Sequence, residues 1–90
     1  MRLTLKFFAN FREAVGTKTV EREFDDVDTV GDVLAALEEE YPALDLLSDG
    51  DLRPQINVLR NGREVLHMEG IDTELADGDT LAIFPPVAGG

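Results

Sequence analysis

The 90-residue chain has no cysteine, one histidine and two lysines. Without cysteine there are no disulfides, no thiolate nucleophile, no cysteine-based zinc site and no internal thioester. Any sulfur chemistry must use a sulfur from elsewhere. With His67 as the lone histidine, a two-histidine metal motif is excluded as well. No stretch approaches the roughly 20 apolar residues that cross a bilayer. The start, Met1-Arg2-Leu3, turns charged by Lys6 and lacks the apolar core and cleavage site of a signal peptide. A cytoplasmic protein with no membrane partner is expected. Basic residues are scarce too: 8 against 19 acidic ones, a net charge of -11. Such a chain repels nucleic-acid phosphates. The acids are dispersed rather than gathered in a tail. A dispersed acidic surface with few lysines points to a halophile's cytosol, where ~1 M salt shortens the Debye length to ~3 Å and screens self-repulsion.

What remains is enough for one small core. Apolar residues make up 43% of the chain, and a domain of this size buries about 60% of its unfolded surface. Residues Arg2 to Phe8 alternate. Leu3, Leu5 and Phe7 share one face, while Arg2, Thr4, Lys6 and Phe8 share the other. Period two predicts a half-buried strand. Asn10 to Val15 reads as a short connection with one helical turn, closed by Gly16. Thr17 to Phe24 is a second strand with Val20 and Phe24 in the core. Thr29 then opens a helix, with Asp32 completing a capping box. Val30, Val33, Leu34, Leu37 and Tyr41 form its apolar stripe, and Pro42 stops it. Glu38, Glu39 and Glu40 are expected to be solvated.

Ala43 to Asp51 reads as a loop with Leu44, Leu46 and Leu47 tucked under the sheet. Gln55 to Arg60 is a third strand. Asn61-Gly62 signals a type I′ hairpin, since both residues tolerate positive φ. Arg63 to Leu66 returns as a short strand, His67 to Asp79 is irregular, and Thr80 to Phe84 is the last strand, with Leu81 and Ile83 facing in. A helix between two sets of strands on so short a chain predicts an α+β, β-grasp architecture like that of ubiquitin. It would have a mixed sheet of about five strands and one main helix on one face. Residues 1–84 form the expected body and residues 85–90 a flexible tail.

The tail is the most informative segment. Pro85 and Pro86 remove donors and stiffen the chain after the last strand. Val87, Ala88, Gly89 and Gly90 follow, with almost no bulk at the end. A slim tail can thread a narrow channel and present the Gly90 carboxylate to a nucleotide. A Cβ on either of the last two residues would hinder that approach.

The segments Phe7-Phe8-Ala9-Asn10-Phe11-Arg12-Glu13-Ala14-Val15-Gly16, Asn57-Val58-Leu59-Arg60-Asn61-Gly62, Leu75-Ala76-Asp77-Gly78-Asp79 and Ala82-Ile83-Phe84-Pro85-Pro86-Val87-Ala88-Gly89-Gly90 carry a family likeness across the whole chain. The chain resembles the ubiquitin-like sulfur carriers of the MoaD/ThiS family, and more closely the small archaeal modifier proteins of haloarchaea. The resemblance implies that an E1-like adenylyltransferase of the MoeB/ThiF type joins Gly90 to AMP, using ATP. The adenylate then takes up sulfur as a thiocarboxylate, for molybdopterin biosynthesis or tRNA thiolation. Alternatively it passes to a lysine of a target protein as an isopeptide. It further implies a MoaE-like partner, the large subunit of molybdopterin synthase. The chain itself would be a substrate, not an enzyme, with no permanently bound cofactor or metal, and monomeric when free.

A docking surface follows from strand parity. Phe8 and Phe84 both point outward, and on neighbouring strands their rings would form one apolar patch near the tail. Leu59 has the same parity. By resemblance Phe8, Arg60, Phe84 and Arg12 match contact positions of the family, and Arg60 stands where its members often carry an apolar residue. Pro85, Pro86 and Val87 would extend the contact. Lys6 and Lys18 are the candidate acceptors for self-conjugation. His67 has no acid partner in sequence and reads as a solvated loop residue. Asp49-Gly50-Asp51 and Asp77-Gly78-Asp79 lack EF-hand spacing and read as turns. The alternative to a carrier is a non-catalytic β-grasp interaction domain with an inert C-terminus.

Overall fold

The structure, a computed structural model, describes residues 1–86. Its elements in chain order are β1 (Arg2–Phe7), α1 (Ala9–Val15), β2 (Thr19–Glu23), α2 (Val30–Glu40), β3 (Leu47–Ser48), β4 (Asp51–Leu52), β5 (Asn57–Arg60), β6 (Arg63–Glu64) and β7 (Thr80–Phe84). Five strands form one mixed sheet in the order β2-β1-β7-β5-β6. The central pair, β1 and β7, is parallel; the other pairs are antiparallel. This is the expected β-grasp arrangement, with α2 on one face.

The alternation of β1 explains the layering. Leu3, Leu5 and Phe7 are buried, and they share one cluster with Val58, Leu81 and Ile83 of the sheet and Val30, Val33, Leu34 and Leu37 of α2. Thr29 caps α2: its hydroxyl accepts from the Asp32 amide at 3.3 Å, and the Asp32 carboxylate accepts from the Asp28 and Thr29 amides. Those two amides hold the Asp32 carboxyl below the usual carboxylate range against a weaker opposing effect of burial. Replacing Thr29 by alanine is expected to cost about 1 kcal/mol, lowering Tm by roughly 4–8 °C, while Thr29→Ser keeps the wild-type value. An unchanged Tm in Thr29→Ala would mean that the cap contributes nothing.

Four local expectations need correction. The connection after β1 is a full seven-residue helix, closed by Gly16 at φ 95°. Phe11, Ala14 and Val15 give it an apolar stripe at helical spacing, and all three pack on the core. The segment after α2 contains the β3–β4 hairpin, turning through Asp49 and Gly50 at φ 52° and 79°. Asp-Gly acts there as Asn61-Gly62 does between β5 and β6. The strand after Asn61-Gly62 ends at Glu64, because a 3₁₀ turn over Val65–His67 buries Val65 and leaves Leu66 58% exposed. Glu38 is half-buried rather than solvated: its Oε2 accepts the Leu46 and Leu47 amides at 2.8 and 3.1 Å and so ties the loop to α2. Glu40 pairs with Arg22.

The expected boundary between body and tail lies at the end of β7. Val87, Ala88, Gly89 and Gly90 lie outside the described residues. No helix among the described residues is long and apolar enough to cross a membrane.

Candidate functional site

The end of β7 lies beside the end of β1. The register pairs Phe7 with Ile83 and Lys6 with Ala82, which carries Phe8 alongside Phe84 on the face away from α2. Their rings stack at 4.2 Å between centroids, with 10° between planes. Such a pair is worth about 0.5–1.5 kcal/mol beyond burial. Both rings are half-buried. Across from Phe84 lies Asn57 of β5. Ala9, Asn10, Asn57, Pro85 and Pro86 join the two rings around an open groove of about 430 Å³. Pro85 is buried and Pro86 exposed, so the chain leaves the sheet directly along this groove.

Sequence reasoning missed Ala9, Asn10 and Asn57 as groove residues. Asn57 has the outward parity of Leu59 and could have been found that way. Ala9 carried no signal. It holds φ 52°, a left-handed conformation that costs a residue with a Cβ roughly 1–2 kcal/mol. It turns the chain immediately after Phe8, and the buried Phe11 anchors the helix that follows.

Leu59 lies on the same outward face, opposite Ala82. Arg60 does not. It pairs with Leu81, whose side chain is fully buried, so its parity is toward α2. It also sits where β7 begins, the end far from the tail. Strand alternation thus removes Arg60 from the Phe8–Phe84 surface. Its Nε donates to Asp79 Oδ2 at 2.7 Å. Arg12 is exposed on α1, and Lys6 and Lys18 are exposed, with Lys18 Nζ 5.9 Å from the centre of the Phe8 ring. His67 is exposed.

Asp79 is the polar centre that the sequence did not reveal. It is 7% exposed. Besides Arg60, its carboxylate accepts the Ala76 amide at 2.8 Å and Asn61 Nδ2 at 2.9 Å. Asn61 Oδ1 accepts the Thr80 amide at 2.9 Å. Asp77 accepts the Arg2 amide at 2.6 Å. These bonds lock the Asp77-Gly78-Asp79 turn onto β1 and the β5–β6 hairpin and fix where β7 starts. Burial pushes the Asp79 carboxyl up, but the Ala76 amide, the Asn61 amide and the Arg60 guanidinium outweigh it and hold the pKa below the usual range.

Because the folded pKa lies below the unfolded one, the stabilisation is complete above about pH 4 and is lost as pH falls through the lowered value. Asp79→Ala strands these donors and is expected to cost about 2–3 kcal/mol near neutrality, a Tm drop of roughly 10–20 °C. The gap from wild type should narrow progressively as pH falls below about 4 and through the lowered pKa. A gap independent of pH would show that the charge of Asp79 is not what holds the turn.

The class is that of the ubiquitin-like β-grasp proteins, here with a stacked aromatic platform at the end of the last strand. Residues 5–90 match the ThiS family model. The chain is 55% identical over 92 residues, the whole length of both proteins, to small archaeal modifier protein 3 of Haloferax volcanii. The crystal structure of small archaeal modifier protein 1 from the same organism superposes with a TM-score of 0.82 at 42% identity, with both chains fully covered. The molybdopterin synthase sulfur carrier subunit of Escherichia coli is 35% identical over 86 residues, covering 93% of this chain and 94% of that one. The chain therefore belongs to the ThiS family, within its small archaeal modifier branch. Its relatives are ubiquitin-like sulfur carriers and modifiers, not catalysts.

Proposed function

We propose that this chain is a cytoplasmic carrier and modifier whose reacting group is the Gly90 carboxylate. The full-length identity to a small archaeal modifier protein carries this reading. The Phe8–Phe84 platform, followed at once by Pro85-Pro86, supports it as a means of seating the tail on a partner.

A free carboxylate is a poor electrophile at neutral pH, so activation comes first. The Gly90 carboxylate attacks the α-phosphorus of ATP on an E1-like adenylyltransferase of the MoeB/ThiF type. Pyrophosphate leaves and an acyl-adenylate forms. Sulfur at the sulfide level (HS−) then displaces AMP and loses its proton to give a thiocarboxylate, which serves a MoaE-like subunit in molybdopterin synthesis or a tRNA-thiolating system. A lysine amine of a target protein displaces AMP instead to give an isopeptide and release a proton. Both routes share the adenylate, and the nucleophile decides between them. The chain supplies the carboxylate and the docking surface. It needs no resident cofactor and acts as a monomer when free. Lys6 and Lys18 are its own available acceptors.

Intact mass of the protein isolated from its own cells, beside denaturing blots, tests the proposal. Sulfur in place of one terminal oxygen, larger adducts, or both are expected. An unmodified mass without adducts, even after incubation with ATP and cell extract, would favour an inert interaction domain.

A further inference from the structure

The cations of this acidic chain are unevenly placed. Three of the eight basic residues are tied within the molecule: Arg22 to Glu40, Arg53 to Asp45 and Arg60 to Asp79. Lys6 and Lys18 make no ion pair among the described residues. Both border the aromatic platform. Lys6 lies between Thr19 and Ala82 on the outward face, two residues before Phe8, which follows the end of β1. Lys18 holds its ammonium 5.9 Å from the centre of the Phe8 ring. Arg12, also without an ion pair among the described residues, lines a neighbouring hollow with Ala9, Asn10 and Glu13, and this hollow shares Ala9 and Asn10 with the aromatic groove. The acids of this sheet face lie away from the rings. By register Glu21 and Glu23 sit opposite Thr4 and Arg2, and Glu64 sits opposite Leu59.

We infer that the platform docks on an apolar cleft of the activating enzyme that is rimmed by carboxylates, with Lys6 and Lys18 as the contacting cations. The inference rests on the carrier reading and names the chemistry of its first partner. A basic partner would be drawn to almost any other part of a surface with net charge -11. An acidic partner is repelled least where unpaired cations stand together, as Lys6, Lys18 and Arg12 do beside the rings, whereas Arg2 stands opposite Glu23 and Arg63 has the opposite parity, so the clustered cations select both the face and the partner. Their aliphatic stems can lie along the rings while the ammonium groups reach the rim. In ~1 M salt, with a Debye length of ~3 Å, long-range steering is lost. The lysines then act at contact, and the rings supply apolar burial that salt does not screen.

ATP–pyrophosphate exchange by the adenylating enzyme of the same cell, with this full chain as substrate, tests the inference. Lys6→Glu and Lys18→Glu are each expected to raise KM for the chain about tenfold with kcat unchanged, as loss of a contact charge does before chemistry. Lys6→Arg and Lys18→Arg should stay close to wild type. Arg63→Glu is the control, because Arg63 pairs with Arg60 and so has the opposite parity. It should leave KM unchanged. A KM unaffected by either lysine reversal would overturn the inference, as would an equal rise in Arg63→Glu, which would mark general charge repulsion. A wild-type chain that supports no exchange at all would instead overturn the carrier reading beneath it.

Discussion

Removal of Gly89 and Gly90 is expected to abolish thiocarboxylate formation and conjugation completely, while Tm stays within about 3 °C of wild type, the range of a substitution that touches no packing. Among the described residues the buried cluster runs from Leu3 to Ile83, and two glycines carry no apolar side chain that the truncation could remove. Loss of function with retained stability would separate the chemistry of the tail from the integrity of the body. The reason is covalent. Activation needs a terminal carboxylate on a chain thin enough to reach a nucleotide, and a truncated chain would offer Ala88, with its Cβ, in that place. Thiocarboxylate or adducts persisting in the truncated protein would mean that another carboxyl group reacts.

The second large effect belongs to the rings. Phe84→Ala or Phe8→Ala is expected to weaken association with the adenylating enzyme by about 2 kcal/mol or more, roughly 30-fold. Each loses the stacked partner at 4.2 Å and the wall of the groove it lines. The same change removes about 2 kcal/mol of folding stability, the stacking together with the burial of a half-buried ring, because the pair lies on the outer face of the sheet and outside the core. The variants should therefore melt cooperatively and still fail to dock. Affinity within about threefold of wild type, less than 1 kcal/mol, would show that the platform is a structural cover and that docking relies on another surface.

Much of this was legible in the residues. The alternation of Leu3, Leu5 and Phe7 gave the buried face of β1, and Thr29 with Asp32 gave the start of α2. Asn61 and Gly62 adopt φ 50° and 84° as a type I′ turn requires. Parity alone put Phe8 and Phe84 on one side of the sheet, and the parallel register of β1 with β7 then stacks them. Other features depend on where distant segments arrive. Strands of two residues, such as β3 and β4, are too short to show alternation. Glu38 looked solvated because its partners, the Leu46 and Leu47 amides, lie across a turn that local sequence does not trace. Arg60 was grouped with the rings by family likeness, although its alternation with Leu59 already placed it on the other face. Asp79 looked like an ordinary turn residue. Its burial appears only once Arg60, Asn61 and Ala76 converge on it.

The most direct test of the carrier account is ATP–pyrophosphate exchange by the purified adenylating enzyme, measured with and without this chain. The account predicts exchange that depends on the full chain and vanishes when the chain lacks Gly89 and Gly90. Exchange that is absent with the full chain, or equal with the truncated one, would contradict it.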